Sequence, residues 1–130
     1  MRKRVAASAA AIAAFAWLGT LQAHHGAAYF FDTTKSITLE GKVLRVEWTN
    51  PHRRLYIQST NAKGDPETWE LWGSSNFTGP GAAELKERLQ QGVFIVARGF
   101  PPRYSDRRMG AGEIRFPNGD VETFGAGPTF

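Results

Sequence analysis

Residues 37–48 constrain the fold more than any other stretch. Ile37, Leu39, Gly41 and Val43 alternate with polar neighbours, and the alternation resumes one residue out of phase at Val46 and Trp48. Period-two alternation marks a half-buried strand. The slip falls where Val43 adjoins Leu44, just after Gly41, and glycine within a strand marks a bulge or a sharp bend. The sequence therefore predicts one long strand that curls.

Asn50-Pro51 ends it. A second strand is predicted over Arg53–Ser59, with Leu55 and Ile57 on one face. The polar turn 61–65 leads to a third over Glu67–Trp72, where Trp69 and Leu71 oppose Thr68, Glu70 and Trp72. A helix is predicted over Ala82–Gln91: Ala82, Leu85 and Leu89 share a face, Glu84 precedes Arg88 by four, and Gly92 supplies a stop. Val93–Phe100 is a nearly continuous apolar run suited to a fully buried strand. Glu113–Phe116 and Val121–Phe124 flank Asn118-Gly119, a hairpin signal, and the Gly/Pro-rich residues 125–130 read as a loose tail. A curled first strand with one helix between strands 3 and 4 is the layout of a mainly β, five-stranded OB-like barrel, here over residues 37–124. An open antiparallel sheet with the helix on one face has the same element order.

Ahead of this domain, Met1-Arg2-Lys3-Arg4, the apolar run Val5–Leu18 and a more polar tail ending at Ala23 have the order of a secretory signal. The apolar run is shorter than the roughly 18–20 residues that span a bilayer, so residues 1–23 read as a signal peptide. Cleavage after Ala23 or Ala27 would leave a periplasmic or secreted protein with no stable membrane span. The alternative is an uncleaved anchor. Residues 24–36 form a leader containing His24-His25-Gly26 and Tyr29-Phe30-Phe31.

Export also changes the meaning of the charge. The whole chain has 16 basic and 12 acidic residues, a net of +4, but three of the basic ones lie in the signal, so the mature net is +1. Nucleic-acid binders draw affinity from neutralised phosphates and are usually far more basic, so no nucleic-acid partner is expected. With no cysteine, neither disulfides nor thiolate metal sites can form.

Any metal chemistry must then use histidine, carboxylate or the chain's own amine. Cleavage after Ala23 makes His24 the first residue, and its α-amine and imidazole can grip one ion together. His25 adds a nitrogen, and His52, held at the Trp48-Thr49-Asn50-Pro51-His52 corner, is the remaining histidine. An all-nitrogen set suits copper in its divalent state or another divalent metal. The bland alternatives are a solvated chain end for His24-His25 and a turn-pinning role for His52. A second candidate surface comprises Trp48, Asn50, Tyr56 and Trp72 with Arg103 and Arg107, an aromatic face on which a cell-envelope glycan or other extended ligand can lie. Strand aromatics are more often core, and a charge-rich loop is more often simply solvated. Hydrolytic motifs are absent: Gly73-Ser74-Ser75-Asn76 is not a nucleophile elbow, and no His-Glu-x-x-His is present. A non-enzymatic binding protein is expected.

The sequence resembles bacterial secreted proteins built around a domain of unknown function. The matching elements are His24-His25-Gly26, Tyr29 to Asp32, and Thr38-Leu39-Glu40-Gly41-Lys42-Val43-Leu44-Arg45-Val46-Glu47-Trp48-Thr49-Asn50-Pro51-His52. A looser Leu89, Gly92, Val93 or Val96, Gly99 pattern follows, with Val93 where those proteins usually carry Asp. The resemblance implies a small periplasmic β-barrel and supplies no activity.

Overall fold

The computed structural model describes residues 26–49, 52–74, 80–104 and 106–130; the predicted signal, His24, His25 and Asn50 lie outside them. In chain order the elements are α1 (Gly26–Phe30), β1 (Ile37–Glu47), β2 (Arg54–Thr60), β3 (Pro66–Trp72), α2 (Pro80–Arg88), β4 (Phe94–Phe100), β5 (Arg108–Arg115) and β6 (Val121–Thr123). The strands run β3-β2-β1-β4-β5-β6, and a parallel pairing of β3 with β5 closes the first five into a barrel with β6 outside it. The expected barrel with one helix between strands 3 and 4 is present.

Closure depends on β1 changing partners. It pairs with β4 over Ile37–Lys42 and with β2 over Lys42–Glu47, with the register shifting between Val43 and Arg45. Gly41 sits at the bend because a Cβ there would collide with the carbonyl oxygen of Gln58. Alternation along the strands then sends Val43, Leu55, Ile57, Leu71, Ile95 and Ile114 inward, where Leu85 and Leu89 join them from α2 and the turn that ends it. Each fully buried side chain of this size contributes roughly 1.5–3 kcal/mol.

Several local expectations are revised. In β4, Ile95, Ala97 and Gly99 are buried while Phe94 is 43 % exposed, so the apolar run is not buried on both faces. β5 starts at Arg108, inside the basic stretch read as loop, because its first three residues pair with β3. The helix ends at Arg88, and Gly92, at φ 88°, instead shapes the turn into β4. Arg88 reaches Asp120 and Glu122 at 3.1 Å each, tying the helix to the β5–β6 hairpin. Residues 125–130 pack against the barrel: Gly125 is buried, the Gly127 backbone lies against Gly112, and the Phe130 amide donates to Glu113 at 2.7 Å.

Candidate functional site

The leader is docked, and that docking builds one side of a cavity. Phe31 is buried, bridges to Pro102 in an antiparallel sense, and closes α1 by donating its amide to Ala27 O at 2.9 Å. The Asp32 amide donates to Pro101 O, the Arg103 amide to Phe30 O, and the Arg103 side chain to Ala28 O. The Asp32 carboxylate then accepts from the Thr34 hydroxyl at 2.6 Å, from Lys35 Nζ at 3.1 Å and from the Thr34 amide at 3.1 Å. Those partners, the Thr34 hydroxyl foremost, hold its pKa down at about 2.

Trp72 forms the opposite side. It ends β3 facing outward because Leu71 beside it faces in. Its indole Nε1 donates to Glu70 at 2.7 Å, and the same carboxylate receives Arg54 and Arg108 at 3.4 Å each. His52 stacks on the indole with ring centroids 5.3 Å apart, and Phe30 and Phe31 approach it at 5.4 and 5.8 Å. The guanidinium groups of Arg108 and Arg54 lie 4.8 and 5.6 Å from its centroid, within cation–π range.

Between these sides lies a cavity of about 400 Å³, bordered by Gly26, Phe30, Phe31, His52, Trp72 and Ser74 among others. No carboxylate, lysine or arginine borders it among the described residues. Ser74 is set by Arg53, a buried arginine beneath it. Arg53 donates to Ser74 O at 3.0 Å, to Ser74 Oγ at 3.3 Å, and to Phe124 O. Burial pushes its pKa down to about 10, leaving it charged at neutral pH.

The candidate residues separate in space. His52 and Trp72 come together at the cavity, and His52 is exposed. Trp48 packs against the core, with Lys86 Nζ 5.4 Å from its ring. Tyr56 is on the outer face of β2 under the Arg45 guanidinium, 3.7 Å away. Arg103 is engaged by α1, and Arg107 by Glu67 at 3.0 Å. Sequence reasoning did not single out Phe30, Phe31, Ser74 or Glu70 as site residues. The Tyr29-Phe30-Phe31 cluster was the available signal for the first two.

Among the described residues no group of three or more histidines or carboxylates is gathered closely enough to hold a metal. No helix among them is long and apolar enough to cross a membrane. A family model described as "Family of unknown function (DUF6152)" matches residues 8–111. No curated protein and no solved structure matches the chain.

Proposed function

The chain belongs to this family of unknown function (DUF6152), and for it we propose an exported, periplasmic protein that binds Cu(II), or another divalent metal, through His24, His25 and His52. One observation supports the reading above all: Gly26, which directly follows His25, borders the same cavity as His52. His24 and His25 immediately precede Gly26 in the chain, so the sequence supplies two histidines next to a residue on the cavity's border. Removal of residues 1–23 would add an α-amine. The leader that follows them is held, since it bonds to Pro101 and Arg103, and a pre-ordered anchor lowers the entropy lost on binding. Amine and imidazole nitrogens together favour the tetragonal geometry of Cu(II).

A glycan lying across β2 and β3 is less well supported. Tyr56 already carries Arg45 and Trp72 already carries His52, so stacking sugars would first displace both.

The test is a Cu(II) titration followed by electron paramagnetic resonance, on protein secreted through its own signal, with intact mass fixing the first residue. One tightly held ion per chain with a nitrogen-dominated spectrum is expected. Unchanged affinity after joint replacement of His24 and His25 by alanine would overturn the reading.

A further inference from the structure

We infer that the cavity beside His52 and Trp72 is also a binding site for a small uncharged aromatic alcohol, a ligand that needs no metal ion to be held. Size comes first. An apolar cavity of roughly 150 Å³ is enough to hold benzene, and ligand sites typically enclose about 300–1,000 Å³. At about 400 Å³ this one has room for a substituted ring.

The lining suits a ring that carries a hydroxyl. Phe30, Phe31, Trp72 and Phe100 border the cavity, and aromatic rings pack well against the edges and faces of others. Among the described residues, the polar side chains on its border are His52 and Ser74. Ser74 Oγ accepts a hydrogen bond from Arg53, so its own proton can go to an oxygen of the ligand. A neutral imidazole offers one donor and one acceptor nitrogen. An alcohol both accepts and donates, and so matches the pair.

The border works against a charged ligand of either sign. Among the described residues no carboxylate, lysine or arginine lies on it. Arg54 and Arg108, which flank the indole, are matched by Glu70 and Asp106. An aromatic acid or amine would give up its hydration for a border with no ion to pair with, a larger cost than burying a hydrogen-bonded hydroxyl. The walls are also set in advance. Trp72 is held by Glu70, and Phe31 by its bridge to Pro102 and by Gly110, where a Cβ would come within 3.0 Å of the ring. Walls already in place lose little entropy on binding.

The experiment uses the full secreted protein, washed with chelator so that its outcome is independent of metal binding. Amide and indole N–H signals are followed by NMR during titration with benzyl alcohol, benzoate, benzylamine and toluene. Benzyl alcohol should bind saturably, with shifts centred on Gly73, Ser74, Gly110 and the Trp72 indole. Benzoate and benzylamine should each bind at least about tenfold more weakly. Trp72→Ala removes one wall at a half-buried position outside the core and should weaken benzyl alcohol at least about tenfold. Ser74→Ala, a smaller change that leaves the walls intact, should weaken benzyl alcohol about three- to tenfold and leave toluene unchanged. The same spectra report whether each variant is folded, and Ser74→Ala decides alone if Trp72→Ala is not. No saturable binding of benzyl alcohol, benzoate or benzylamine bound as tightly as the alcohol, or alcohol affinity unchanged in the folded variants would each overturn the assignment.

Discussion

The imidazole of His52 lies nearly parallel to the indole of Trp72, at 18° between the ring planes. The contact follows from strand register. Arg54 pairs with Trp72 at the end of the β2–β3 ladder, and the Gly73 amide donates to Arg53 O at 2.8 Å just beyond it. The chain entering β2 and the chain leaving β3 are therefore side by side. One ring comes from the Trp48-to-His52 corner and the other from a strand end 20 residues later.

His52→Ala should weaken Cu(II) binding by at least tenfold, since even the outer partners of metal ligands typically cost about 10–100-fold when removed. Competition against a chelator of known affinity measures it. A loss below about twofold would remove His52 from the ligand set.

Glu70 accepts from three donors at once, Trp72, Arg54 and Arg108. Glu70→Ala should cost about 1–3 kcal/mol in urea unfolding by leaving the indole N–H and two guanidiniums without this acceptor. Glu70→Gln keeps an acceptor for the indole and should cost less than half as much. Equal losses would mean that the charge, rather than the indole bond, dominates.

Gly41→Ala should destabilise by about 1–3 kcal/mol, the usual cost of forcing atoms into a packed site, because the new methyl meets the Gln58 backbone rather than a movable side chain. Gly81→Ala, with nothing within 4 Å of the added carbon and a helical position, should be neutral or slightly stabilising. Chemical denaturation of the pair separates a steric cost from a general glycine effect.

The leader turn should respond to acid in a defined window. Asp32 has a folded-state pKa of about 2 against an ordinary 3.8. A depressed carboxyl contributes stability that is complete above the unfolded value and is lost as pH falls through the folded one. The Thr34 amide, which donates to Asp32, should titrate by NMR with a midpoint near 2, and Asp32→Asn should abolish that step. A midpoint near 4 would show the turn to be unformed in solution.

Much of the barrel was legible because its signals are local. The slip at Val43–Leu44, the turn around Asn61 and Gly64, and the Leu85/Leu89 face each depend on residues a few positions apart. The start of β5 was not legible, since Arg108 is a strand residue only because β3 lies beside it, 38 positions away at Glu70. The site was half legible for the same reason. His52 and Trp72 could each be named from chain position and phase, but their contact depends on the β2–β3 register. Arg53 could be placed at the start of the second strand, and only its bonds to Ser74 and Phe124 show it to be a buried strut.

The barrel's closing seam has a thermodynamic consequence. β3 and β5 meet through three residue pairs, and the last of them is Trp72 with Gly110, both of which border the cavity. Any molecule held there spans the two strand ends that must stay together for the barrel to remain shut. Binding and closure are then linked, so ligand at 100 times its Kd would add about 2.7 kcal/mol to the closed form. In a chain without disulfides, occupancy of the site would itself act as the fastener, and the empty protein would be the one that opens first along this seam.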